Sequence, residues 1–104
     1  MTIRIKNSYL EKLFKGEPVP GKPKYSSGVI VKFKKTILKL QFADSIRELS
    51  ALKGLNFEAL KGDKAGYYSV RVDYHYRLIL SIEKNESIAI TEILVVEDLT
   101  NHYQ

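Results

Sequence analysis

The stretch Tyr68-Ser69-Val70-Arg71-Val72-Asp73-Tyr74-His75-Tyr76-Arg77-Leu78-Ile79-Leu80-Ser81-Ile82 decides the fold. Tyr68, Val70 and Val72 alternate with Ser69, Arg71 and Asp73, and Leu78, Leu80 and Ile82 alternate with Arg77, Ile79 and Ser81. A period of two is the signature of strands with one buried face, so the stretch predicts two strands joined as a hairpin. A three-residue loop at Asp73-Tyr74-His75 keeps the inward sets aligned, pairing Val72 with Tyr76 and Arg71 directly with Arg77; a two-residue loop misaligns them. Asp and His both tolerate the left-handed conformation such a loop is expected to need. Like charges directly across a ladder are destabilising. The pair is kept where an anion such as a phosphate bridges the two guanidinium forks, or where each arginine reaches its own carboxylate, such as Asp63, Asp73 or Glu92.

Outward from the hairpin the periods change. Ile88 to Val96 is mostly β-branched and apolar on both faces apart from Glu92, which predicts a central strand. From Ser26 or Ser27 onward, Ile30, Phe33, Ile37 and Leu40 fall on one stripe of a helix of about four turns. Lys32, Lys35 and Lys39 form a second stripe, read either as a solvated face or as a surface for an acidic partner segment or RNA. Ser45-Ile46-Arg47-Glu48 is a capping box that opens a third helix ending before Gly54. At the start, Thr2 to Ile5 alternate like a short strand, and Asn7 or Ser8 caps a helix that runs to Lys15 and stops at Gly16. Glu17 to Tyr25 holds three prolines and a glycine and reads as a surface loop. The expected architecture is α+β, with N-terminal helices packed on a small, mostly antiparallel C-terminal sheet, in a single domain over 1–104.

Hydrophobic residues make up 44% and charged residues 28% of the chain, ordinary values for a folding domain and unlike a disordered segment. The absence of cysteine excludes disulfides, thiol nucleophiles and Cys-ligated zinc, and two widely spaced histidines, His75 and His102, are a poor start for a metal site. No apolar run approaches the roughly 18 residues of a membrane span, and no signal-peptide pattern opens the chain, so a cytoplasmic protein is expected. A net charge of +5 favours a polyanionic partner without naming one.

The chemistry-bearing groups concentrate in Leu60-Lys61-Gly62-Asp63-Lys64-Ala65-Gly66-Tyr67-Tyr68, just ahead of the two arginines. Gly62 and Gly66 allow either an ordinary turn or one whose amides approach an anion closely. Lys61 is a candidate general base and phosphate ligand, or a solvated loop lysine. His102 and Tyr103 close the chain as a candidate proton donor and base-stacking group, or as a frayed end. His75 serves the loop.

Taken together, Leu60-Lys61-Gly62-Asp63, Gly66-x-Tyr68-Ser69-Val70-Arg71-Val72 and Tyr76-Arg77-Leu78 resemble the HigB-like branch of the RelE/ParE toxin superfamily. Its pattern is roughly L-K-G-D-x-x-G-x-Y-S-I-R-I, then an aromatic-Arg pair, and a terminal Asp-Tyr-His. The likeness runs from Ala43 onward, while the N-terminal helices agree in kind and placement. It implies a RelE-like microbial RNase fold and a type II toxin that cleaves mRNA on the ribosome without metal or cofactor. The same likeness implies a cognate antitoxin, a HigA-like DNA-binding protein, as partner. Lys61, Arg71 and Arg77 fall on the family's basic active-site positions and His102 on its terminal histidine, with Lys64, Tyr76 and Tyr103 as RNA contacts. This chain departs in its tail, Asn101-His102-Tyr103-Gln104, where the His-Tyr order is reversed. Two other readings fit the same residues. One is a ParE-like gyrase poison on the same fold; the other is a nucleic-acid-binding module that does not cut.

Overall fold

The computed structural model describes residues 1–85 and 91–102. Strand β1 (Thr2–Ile5) leads into helix α1 (Ser8–Lys15), followed after the proline-rich loop by helix α2 (Ser27–Phe42). Each helix starts where a side chain replaces a missing backbone acceptor: Asn7 Oδ1 accepts from the Leu10 amide at 3.1 Å and Ser26 Oγ from the Val29 amide at 3.2 Å. Gly16 ends α1 in the left-handed region at φ 74°, donating its amide to Leu13 O. Helix α3 is a single turn, Ile46–Leu49, shorter than the expected run toward Gly54. Its capping box is half-formed: Ser45 Oγ accepts from the Glu48 amide at 3.3 Å, but the Glu48 carboxylate accepts from the Asp44 amide at 2.7 Å instead of from Ser45. After this one turn the chain passes into turns that reach Leu55.

The sheet has five strands in the order β1-β5-β4-β3-β2, where β2 is Glu58–Ala59, β3 Tyr68–Arg71, β4 Arg77–Asn85 and β5 Thr91–Thr100. All neighbours are antiparallel except β1 and β5, which run parallel from Thr2↔Ile93 to Ile5↔Val96. The two-residue edge strand β2 was not anticipated, since two residues carry no period. Strand β5 lies inside the sheet as its two apolar faces predict; its expected start at Ile88 lies outside the described residues, and it runs on to Thr100. Phe33, Ile37 and Leu40 of α2 share one core with Val70, Leu78, Leu80, Leu94 and Val96. Leaving Phe33 exposed instead of buried would forgo about 1.5–3 kcal/mol. Ser69, Arg71, Arg77, Ile79 and Ser81 alternate with the core set and project to the opposite face of the sheet.

A bulge in β5 aims the far end of that face. Pairing passes from Leu80↔Val96 to Ile79↔Asp98, which makes Glu97 the extra residue. Beyond it Leu99 enters the core, while Asp98 is exposed and Thr100 half-buried on the other side.

Candidate functional site

The hairpin closes in the expected register, with Arg71 directly opposite Arg77 and the Val72 amide donating to Tyr76 O at 2.9 Å. The loop gets there by a different route from the one expected. Asp73 Oδ1 accepts from the amides of His75 at 2.8 Å and Tyr76 at 2.7 Å, so a side chain supplies the acceptor that turns the chain. Among the described residues only Asn56 combines a side chain with positive φ, so neither Asp73 nor His75 is left-handed. His75 stays exposed beside Tyr74.

The two arginines have opposite environments. Arg77 is 5% exposed; its Nε donates to Ser69 Oγ at 2.9 Å and its Nη2 to Asn56 O at 2.5 Å, with Glu58 Oε1 3.5 Å away. It ties β4 to β3 and to the approach to β2, and Glu58 offsets its charge. Glu58 is not among Asp63, Asp73 and Glu92, the carboxylates the sequence suggested. Arg71 is exposed, and within the described residues its guanidinium makes no hydrogen bond or ion pair. Two rows of facing residues cross the sheet here. One runs Arg71, Arg77, Thr100; the next runs Glu58, Ser69, Ile79, Asp98.

A cleft of about 450 Å³ opens at the β5 end of those rows. Asp63 and Lys64 of a 3-10 turn (Gly62–Lys64) form one wall with Tyr67, Ile79 lies between, and Glu97, Asp98, Thr100 and His102 form the other. The turn is bracketed by Gly62 at φ 67° and Gly66 at φ 94°, a backbone that side chains disfavour. Glu97 is already committed, accepting from Ser81 Oγ at 2.7 Å with Lys6 Nζ at 3.5 Å. Opposite the cleft's floor, on the core side, Tyr25 donates to Leu99 O at 2.8 Å; burial, then the Asp98 charge, pushes its hydroxyl up to about 12.

Lys64 and His102 therefore line the cleft, and Arg71 and Arg77 continue the row that begins at Thr100. The backbone of His102 is fixed by Thr100, whose Oγ1 accepts the His102 amide at 2.9 Å, while the imidazole is exposed. Lys61 is exposed at the start of the 3-10 turn and is not among the lining residues. Tyr76, expected as an RNA contact, shares the parity of Leu78 and Leu80, is half-buried against the core, and meets Tyr25 edge-on at 5.8 Å. Tyr103 lies outside the described residues. Tyr67 and Asp98 had no role from the sequence, and Asp63 only that of a carboxylate an arginine could reach, although continuing the alternation past Val96, with one residue of slip, would have found Asp98, Thr100 and His102 together. Among the described residues no group of three or more His, Asp or Glu side chains is arranged to hold a metal ion.

The fold has a counterpart among solved structures. A comparison with curated proteins gave no match. Among solved structures the fold resembles a YoeB/ParE toxin from Agrobacterium tumefaciens, with a TM-score of 0.60 at 20% identity over 99% of this chain and 100% of that one. The family model described as RelE-like toxin of type II toxin-antitoxin system HigB matches residues 4–93, a span that holds the hairpin, both arginines and the glycine-bracketed turn. The chain belongs to the HigB-like family of RelE-like toxins of type II toxin–antitoxin systems.

Proposed function

We propose that this toxin is an mRNA endoribonuclease that acts on the ribosome in the cytoplasm and uses side chains alone. The observation that carries the reading is Arg71: an exposed guanidinium with no partner among the described residues, opposite a second arginine whose donors turn inward, in a row that leads to the cleft. Two strand spacings of about 4.8 Å separate Arg71 from Thr100, a distance over which one RNA linkage can span from phosphate contact to cleft.

In the reaction, the ribose 2′-oxygen attacks the adjacent phosphorus and the bond to the 5′-oxygen breaks, giving a 2′,3′-cyclic phosphate and a 5′-hydroxyl; DNA lacks the nucleophile. Arg71 stabilises the extra charge on the phosphoryl oxygens, worth about 2.7–4 kcal/mol by analogy with an oxyanion donor. Arg77 is a positioning residue that fixes the strand carrying the charge. His102 protonates the departing oxygen, and Lys64 with Tyr67 holds the flanking nucleotide by charge and stacking. The 2′ proton goes to Lys61, as the family resemblance implies, or to Asp98, a carboxylate that lines the cleft.

Induced expression followed by mapping of mRNA 5′ ends tests the reading. Cuts at defined positions that vanish in Arg71→Ala support it. Growth arrest without cuts, accompanied by inhibited gyrase supercoiling in vitro, would replace it with the gyrase-poison reading, and salt-dependent RNA binding without products would replace it with the non-cutting one. Lys61→Met and Asp98→Asn, compared in single-turnover cleavage, decide which group takes the proton.

A further inference from the structure

The segment that approaches β2 touches both members of the arginine pair. Leu55 is buried in the core, and its carbonyl accepts from the Arg71 amide at 2.6 Å; the next carbonyl, that of Asn56, accepts from Arg77 Nη2 at 2.5 Å. In extended backbone successive carbonyls point in opposite directions, so one of the two would turn away from the hairpin. Asn56 breaks that alternation with φ 46°, and among the described residues it is the one residue with a side chain in the left-handed region. Its neighbours leave little slack for the turn to form elsewhere. Phe57 stacks on Tyr68 with ring centroids 5.3 Å apart and planes 7° from parallel, and Glu58 pairs with Ser69. The Asn56 side chain is exposed and makes no hydrogen bond within the described residues, so in the free protein asparagine serves here through the backbone conformation it tolerates.

We propose that Asn56 is a positioning residue of the cleavage site: its left-handed backbone draws Arg77 inward and so leaves Arg71 as the guanidinium that meets the scissile phosphate. The two arginines stand directly across the ladder, where like charges repel. With the Asn56 carbonyl turned away, Arg77 loses an acceptor on its inner side, and its charge moves toward the outer face and displaces the Arg71 side chain from the row that leads to the cleft. Leu55 O meanwhile anchors the Arg71 backbone, so a single turn fixes the strand of one arginine and the side chain of the other. Neither Leu55 nor Asn56 lines the cleft, so the effect runs through the arginines. The inference rests on the nuclease reading and adds to it what decides which arginine faces the RNA.

The test measures single-turnover cleavage of a ribosome-bound message by the full chain and by Asn56→Gly, Asn56→Ala and Asn56→Val, with rates normalised to the folded fraction read by circular dichroism. Glycine takes the left-handed conformation freely, alanine at a cost and valine least readily. Asn56→Gly is expected within about threefold of wild type, Asn56→Ala about 10-fold slower and Asn56→Val slower again; if the valine protein does not fold, the glycine and alanine proteins carry the comparison. Arg71→Ala should cost about 10²–10³-fold in the wild-type background and about 10-fold less in the Asn56→Ala background, where part of its contribution is already forfeited. An Asn56→Gly protein as slow as Asn56→Ala overturns the proposal, because the amide side chain would then be what the RNA needs. Asn56→Ala at the wild-type rate overturns it as well. So does full additivity with Arg71→Ala, which would leave Asn56 a residue of the fold alone. Absence of cleavage by the wild type sinks the nuclease reading and this inference together, whereas the other three outcomes, with the wild type cutting, sink this inference only.

Discussion

Arginine 77 and arginine 71 face each other across one ladder, yet removing each should have opposite consequences. Arg77→Ala strips charged donors from Ser69 Oγ and from Asn56 O. Each such bond contributes about 1.5–3 kcal/mol, so the pair contributes about 3–6. The Glu58 contact at 3.5 Å adds little, because that carboxylate's side chain is 55% exposed. Relief of repulsion from Arg71 returns a few tenths of a kcal/mol. The expected net loss is about 3–5 kcal/mol, a large share of a stability of about 5–15. At about 4–8 °C per kcal/mol for a domain of this size, Tm should fall by about 12–40 °C. Arg71→Ala, at an exposed and unpaired site, should leave stability within about 0.5 kcal/mol while cleavage falls about 10²–10³-fold. Urea unfolding followed by circular dichroism reads the first quantity and single-turnover cleavage the second. An Arg77→Ala protein within about 1 kcal/mol of wild type would refute the assignment of Arg77 as a tie between strands and return it to direct contact with the phosphate.

His102→Ala should cut cleavage by about 10²–10⁴-fold with the unfolding midpoint unchanged, because the imidazole is exposed and only its backbone is held. Asp73→Ala removes the acceptor of two loop amides and should cost about 1–3 kcal/mol, read by urea unfolding, with a broadened hairpin in NMR spectra. Tyr25 holds its proton more tightly folded, at about 12, than unfolded, at about 10, so its contribution to stability is complete below pH 10 and is lost as pH rises toward 12. Tyr25→Phe should flatten that alkaline loss, measured by urea unfolding between pH 9 and 12, while lowering neutral stability by about 1 kcal/mol through the bond to Leu99 O.

The hairpin and its arginine pair were legible because period and loop length together leave one register, and Asn7, Gly16 and Ser26 marked helix ends through local chemistry alone. What escaped the sequence was long-range. Nothing near Arg77 indicates that its donors turn inward to Asn56 and Ser69, 21 and 8 residues away. The slip at Glu97 has no local signature either, and without it Asp98 and Thr100 read as an extension of uncertain parity. The parity of Tyr76 with Leu78 already pointed to its packing against the core.

The parallel pairing of β1 with β5 also has a meaning for folding. Thr2 is followed by its partner Ile93 only some ninety residues later in the chain, and Val96 comes later still. Closing so long a loop is slow compared with forming local helices and hairpins. The seam that completes the sheet, and with it the strand carrying Asp98 and Thr100, thus closes after the local elements have formed, so the far wall of the cleft is the last part of the fold to be built.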